Sequence, residues 1–444
     1  MSHVISINDL ARINCAIIIL LFMKHVFMVK KYNPFRPSSP VYNNMFIGRM
    51  EEIDNIDASL FQTKNGNPNH IIFTGERGIG KTSLLILANF FAKGEIPCEE
   101  TIYNFLTVQI NLTNKMSILD LVISLKKQIE REVSQKNPEN AFIKKCWAKI
   151  SKFEACGIKY KGNGNEVQEQ NQLIEDFIYA LVDTVKGITG SALLVEMGLK
   201  EKMDGLVILI DEADNASPEL DLGVFLKKIN EVLIVEGCNN VMFVLAGLPT
   251  LFDVLNKSHE SSLRLFKEYY LPPLTKIEVN TLIKDGLKES SEKSGISMSI
   301  DNNALDLIYE YSEGYPHFVQ QIGFSTFELN NDEKIDSRDV KFGFFSKNGA
   351  LNSIGERYYK KLYYSDISVE SQREILDIMA KKWNVWVTRE YISSQYKHKS
   401  LDTCIRALKE KKIILSREGQ RGQYRLQYGS FAFWIKNHKK IESR

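Results

Sequence analysis

The sequence predicts an α/β chain: a parallel-sheet core, a helical segment after it, and a C-terminal unit of three helices and two strands. Three observations carry that prediction. The apolar run Ile71-Ile72-Phe73 leads through Gly75-Glu76-Arg77-Gly78-Ile79-Gly80-Lys81-Thr82 into Ser83-Leu84-Leu85-Ile86-Leu87, which reads as strand, glycine-rich loop and helix. Leu206-Val207-Ile208-Leu209-Ile210 is an unbroken apolar run ending in Asp211-Glu212-Ala213-Asp214, as suits a strand covered on both faces. Over residues 366–430 the pattern changes to three short helices, two strands and a Gly turn.

The loop has the form G-x-x-x-x-G-K-T between a strand and a helix, the context of a phosphate cradle and so of a P-loop NTPase core. Its glycines let successive backbone N–H groups of Gly75, Glu76, Arg77, Gly78, Ile79 and Gly80 point at one anion. The helix N-terminus, from Thr82 and Ser83, adds partial positive charge. Lys81 is expected to reach the β- and γ-phosphates, and Thr82 to hold Mg²⁺ together with Asp211. Glu212 is the expected general base for an attacking water. The carboxylate pair beside the loop favours nucleotide hydrolysis over binding alone.

At 444 residues the chain is long enough for two to four domains. With 44% apolar and 25% charged residues it has the composition of an ordinary globular protein. Six cysteines, at 15, 98, 146, 156, 238 and 404, have no zinc spacing and are too few for a disulfide scaffold. They read as reduced thiols in a cytoplasmic protein. The net charge of +2 conceals an asymmetry: residues 381–444 carry +11 and the rest −9. A basic end on an acidic body points to nucleic-acid contact through that end.

The N-terminal stretch 13–29 is apolar but interrupted by Lys24 and His25, at the lower limit of a membrane span. It is expected to be an appendage outside the fold. The alternatives are an inner-membrane anchor, a buried helix, or a true start at Met23 or Met28.

The remaining elements follow in order. A Pro-containing lead-in, 30–44, precedes Phe46-Ile47-Gly48-Arg49 and a helix from Met50 to Phe61. After the loop and its helix to Lys93, residues 103–110 alternate as a second strand. Residues 113–203 are mostly helical, broken by the Gly-rich stretch 161–165, and read as an elaboration of the core. A helix near 222–235, a strand at 240–246 and a short edge element at 269–271 complete it. Thr275-Lys276-Ile277-Glu278 has capping-box spacing, and from there to Asn330 the pattern is helical without a strand. The expected division is core 30–274, helical lid 275–362 and winged helix-turn-helix 366–436. In the last, helices at 368–381, 388–396 and 400–412 precede a two-stranded wing at 413–416 and 424–428. The third helix, with Lys397, Lys399, Arg406 and Lys409, and the wing, with Arg417, Arg421 and Arg425, are the expected DNA contacts. A winged helix that touches only protein is the competing reading.

Phe46-Ile47-Gly48-Arg49, the loop, the strand ending Asp211-Glu212, Leu245-Ala246-Gly247-Leu248-Pro249, Gly314-Tyr315-Pro316-His317-Phe318 and the terminal Phe431-Ala432-Phe433-Trp434 occur in an order that resembles a known family. It is that of AAA-type ATPases related to replication-origin recognition proteins, on the branch that shades into STAND signalling ATPases. The resemblance covers roughly residues 33–436. It implies ATP as the nucleotide, Gly48 and Arg49 beside adenine and ribose, and Gly314-Tyr315-Pro316 as a nucleotide sensor. It also implies a homo-oligomer in which Arg264 acts as a finger in trans. Two departures, Ala246-Gly247 in place of a polar strand end and Pro316-His317 in place of an arginine, imply slow hydrolysis. The expected function is therefore a DNA-associated ATPase switch. The rival is a STAND-like regulator with protein partners, and a third reading is a membrane-tethered ATPase.

Overall fold

The computed structural model describes residues 31–40, 46–98, 101–136, 141–156, 166–191, 201–383, 385–417 and 419–442. The apolar stretch 13–29 and the Gly-rich break 161–165 lie outside the described residues. Two compact units emerge. One comprises Ser38–Glu278 with Gly314–His317; the other holds the lead-in to Pro37, Val279–Glu313 and everything from Phe318 onward.

The first unit is built on five parallel strands: β1 (His70–Thr74), β2 (Phe105–Asn111), β3 (Gly205–Asp211), β4 (Val241–Gly247) and β5 (Phe266–Tyr270). Their order is β2-β3-β4-β1-β5, so β4 separates the loop-bearing strand from the carboxylate-bearing one. Every residue of β1, β3 and β4 is buried, as unbroken apolar runs require. In β2 all but Gln109 and Asn111 are buried, because helices pack on it as well as on the inner strands. These include the insertion helix Ile118–Lys136 and the loop helix Lys81–Lys93.

The insertion continues through Ala141–Cys146, Ala148–Cys156 and Glu166–Thr189. It shares one hydrophobic core with the sheet. Trp147, fully buried, donates its indole N–H to Thr184 Oγ1 at 3.1 Å and meets Phe177 edge-on at 5.6 Å. Phe177 in turn touches Phe225 of the helix Leu222–Val235 at 5.7 Å.

The second unit corrects the sequence reading in four places. A short parallel pair, β6 (Ser299–Ile300) with β7 (Lys334–Ile335), interrupts the region read as purely helical; two-residue strands leave no periodic signal. The wing sheet has three strands, not two. β8 (Val387–Thr388) pairs antiparallel with β10 (Gln423–Leu426), which pairs with β9 (Ile414–Ser416). The third helix spans Leu401–Glu410, so Lys397 to Ser400 precede it rather than open it. The second is a single turn and a half, Arg389–Ser393.

This unit has a common aromatic core. Phe344 stacks on Tyr311 at 4.5 Å, and Phe433 of the terminal helix Gly429–Glu442 meets Phe345 at 5.2 Å and Trp383 at 4.6 Å. Tyr359, fully buried, lies 4.8 Å from Phe431 and shares a 2.6 Å hydrogen bond with Ser430 Oγ. The segment joining the 302–345 helices to the winged part is itself helical, its later turns widening to π geometry over Gly355–Tyr359 and Leu362–Asp366. The lead-in belongs here too: Phe35 is buried on Gly323, and Asn33 Nδ2 donates to Glu328 Oε1 at 2.8 Å.

Gly314 has φ +76°, and a Cβ there would overlap the Leu274 carbonyl oxygen. Gly314→Ala is therefore expected to destabilise the fold by about 1–3 kcal/mol. Gly295→Ala, at φ +67° with open space around it, should cost less. Thermal unfolding of the two variants side by side checks this.

Candidate nucleotide site and basic surface

The glycine-rich loop joins β1 to the helix Lys81–Lys93. Gly78 and Gly80 adopt φ of 77° and 100°, a backbone that L side chains seldom take. Ile79 is buried between them, while Arg77 is exposed and Glu76 and Ser83 are half-buried. Lys81 Nζ donates to the carbonyls of Gly75 at 2.7 Å and Glu76 at 2.9 Å. Burial pushes its ammonium below the usual lysine range, and Asp214, Asp211 and Glu76 pull it back up, Asp214 most strongly.

Across the sheet, Thr82 Oγ1 donates to Asp211 Oδ2 at 2.6 Å. Asp211 is buried at the end of β3 and its Oδ1 accepts the Glu212 N–H at 2.8 Å. A hydroxyl and a carboxylate are hard oxygen donors, the set that Mg²⁺ takes while keeping several of its waters. Among the described residues no cluster of three or more His, Cys, Asp or Glu forms a metal site, so the fit is to a sparse Mg²⁺ site and not to a protein cage.

Glu212 is exposed and left-handed at φ 51°. Its Oε2 accepts from Asn215 Nδ2 at 3.2 Å, which also reaches Leu112 O at 3.3 Å. Arg49 is left-handed as well, at φ 67°. Its guanidinium is turned onto the loop backbone, with Nη2 donating to Pro272 O at 2.5 Å and Ile79 O at 3.3 Å, and Nη1 lies 3.7 Å from Glu52. Gly48 backs onto Glu278. Pro316 opens the helix Pro316–Leu329, and the His317 N–H donates to Gly78 O at 3.1 Å. The structure thus brings Gly314–His317 to the loop from far along the sequence. Arg264 is exposed in the turn Glu260–Leu265.

In the second unit Lys397, Lys399, Arg406, Lys409 and Arg421 are all exposed. Arg406 and Lys409 share a face with Asp402, whose carboxylate is neutralised by a bidentate pair with Arg389, both distances 2.8 Å. Arg417 and Arg425 differ: they lie over the Trp386 ring at 5.9 and 5.3 Å, and Arg425 is 3.8 Å from Glu313. Lys411, beyond the helix end, donates to Asp366 O at 2.6 Å.

Comparison with solved structures finds this arrangement elsewhere. The Walker-type ATPase PABY2304 of Pyrococcus abyssi superposes with a TM-score of 0.52 at 16% identity, over 90% of this chain and 99% of that one. The ORC2 protein of Aeropyrum pernix, determined with ADPNP and ADP, gives 0.54 at 13%, over 93% and 99%. The chain has their fold. That fold is a P-loop NTPase-type core with a helical C-terminal region that carries a winged helix. No protein-family model matches the chain. A curated relative, an uncharacterised HTH-type transcriptional regulator of Methanocaldococcus jannaschii, is 26% identical over 296 residues. The match spans 65% of this chain and 65% of that relative's length.

Sequence reasoning did not single out Asn215, which holds Glu212, or Asp214, which acts on Lys81. Both lie in the turn just past the carboxylate pair. It also missed Glu313, the left-handed residue before Gly314, whose carboxylate accepts the Gly429 N–H at 2.5 Å and is held above the usual carboxylate range by burial. Its neighbour Gly314 was visible; its partner 116 positions on was not.

Proposed function

We propose that this protein is an ATP-binding, slowly ATP-hydrolysing switch that engages DNA through its winged helix. The observation that carries the reading is the 2.6 Å bond from Thr82, at the start of the loop helix, to Asp211, at the end of β3, although β4 lies between β3 and the loop-bearing β1. In this reading the loop N–H groups of residues 75–80 and the start of the following helix hold the phosphates, and Lys81 swings from the loop carbonyls to the β/γ oxygens. Thr82 and Asp211 would hold Mg²⁺, which would supply charge neutralisation for the terminal phosphates. Glu212 takes the proton of the attacking water. The bond from Asn215 Nδ2 to its Oε2 orients this carboxylate, and its second oxygen is the one that meets the water. Gly48, Arg49 and Pro316 frame the nucleotide, and Arg264, exposed on its turn, serves a neighbouring copy as a finger. Release of labelled phosphate by the full chain tests the hydrolysis.

The uncharacterised HTH-type regulator among the relatives supports the DNA side, as do the exposed Lys397, Lys399, Arg406, Lys409 and Arg421. Cys98, Cys146, Cys238 and Cys404 are thiols outside any disulfide, which supports a reducing, cytoplasmic setting. Among the described residues no helix is long and apolar enough to cross a membrane.

Replacing Lys397, Lys399 and Arg406 with alanine in the full chain is expected to weaken DNA binding and leave DNA-free ATP turnover unchanged. The plot of log affinity against log salt should flatten by about 0.9 for each phosphate that the variant no longer neutralises. Arg417 and Arg425, engaged with Trp386 and Glu313, favour the rival reading of a wing that faces protein. That reading predicts a full chain without DNA affinity even at low salt.

A further inference from the structure

Asp214 has no part in the scheme above, yet the fold has made room for it. It lies in the turn Ala213–Asn215, and its Oδ1 accepts the Leu248 N–H at 2.9 Å. The residue before Leu248 is Gly247, the last of β4. A Cβ on Gly247 would stand 2.8 Å from that same Oδ1, inside van der Waals contact, so any larger residue would evict the carboxylate. In the sheet register Gly247 pairs with Thr74, the residue before the phosphate loop, and β4 has β3 on its other side. The Asp214 carboxylate thus occupies the strand end between the loop and the Asp211-Glu212 pair. Its charge is also the strongest of those acting on Lys81. The polar group that the sequence lacks at the end of β4 is delivered there from the neighbouring turn.

We propose that Asp214 is a further catalytic carboxylate, which holds the attacking water by accepting one of its hydrogens while Glu212 accepts the other. The proposal rests on the ATPase reading. In the step, the water oxygen bonds to the terminal phosphorus and the bond to the bridging oxygen breaks, its electron pair leaving with ADP. The proton released passes to Glu212. Asp214 keeps its hydrogen bond to the water and sets the direction of attack. Two carboxylates around one water also explain why Gly247 carries no side chain of its own.

The test uses the full chain with Asp214→Asn and Asp214→Ala. Asparagine keeps the oxygen that accepts the Leu248 N–H but removes the charge. Expected is a kcat lower by roughly 10²-fold in both variants, with affinity for a fluorescent ATP analogue within about twofold of wild type and an unchanged unfolding midpoint for Asp214→Asn. A wild-type kcat in Asp214→Asn overturns the proposal and leaves Asp214 a tie to Leu248. So does a fall in kcat matched by a fall in analogue affinity or in unfolding midpoint. A wild-type protein that binds the analogue without releasing phosphate removes the ATPase reading itself, and this proposal with it.

Discussion

Lys81→Ala is expected to abolish ATP binding. Its ammonium donates to two loop carbonyls at 2.7 and 2.9 Å and is buried enough to be pushed below its ordinary range. A buried, charged donor is worth most where solvent cannot replace it. Removing one partner of such a pair costs about 2–5 kcal/mol, which corresponds to roughly 30- to several-thousand-fold in affinity. Lys81→Met, which keeps the apolar stem, should fail to the same degree if charge is what matters. Equilibrium titration with a fluorescent ATP analogue reads both variants, and unchanged affinity in Lys81→Ala would overturn the assignment of the loop.

Glu212→Gln should separate binding from turnover. The glutamine keeps an oxygen for Asn215 Nδ2 and leaves Asp211 with Thr82 untouched, so the analogue should bind as to wild type. The amide cannot take a proton, and turnover is expected to fall about 10²- to 10⁴-fold. Single-turnover phosphate release at saturating ATP makes the comparison clean. Normal turnover in this variant would move the general base elsewhere, with Asp214 the nearest candidate. Asn215→Ala, which releases Glu212 and the Leu112 carbonyl, gives no such loss in this scheme.

The strands and the loop were legible because their signals are local. An apolar run ending in carboxylates has one comfortable environment, and five of its residues plus Asp211 are buried as that environment demands. Glycines at 78 and 80 announce the backbone they adopt. What could not be read are contacts that only folding creates. The resemblance gave Arg49 a place beside the base and ribose, but not the hydrogen bonds that hold its guanidinium on the carbonyls of Pro272 and Ile79. Asp214 looked like the tail of a motif, and only the register of β4 shows what it faces. β8 has two residues, too few for a period of two to declare itself. Arg425 counted toward a basic wing by composition, yet its guanidinium is half-buried against Trp386 and Glu313.

The aromatic core of the second unit bears on how this protein can be divided. Phe431, Phe433 and Trp434 come from the last helix, while Tyr311, Phe344 and Tyr359 come from segments that precede residue 366. Burying each such ring is worth roughly 1.5–3 kcal/mol. A fragment cut at 366 would leave Phe431, Phe433 and Trp434 without those rings, a loss of the same order as the whole stability of a small domain. The winged helix here shares one interior with the helices before it, so a substitution at Tyr359 reaches Phe431, 4.8 Å away.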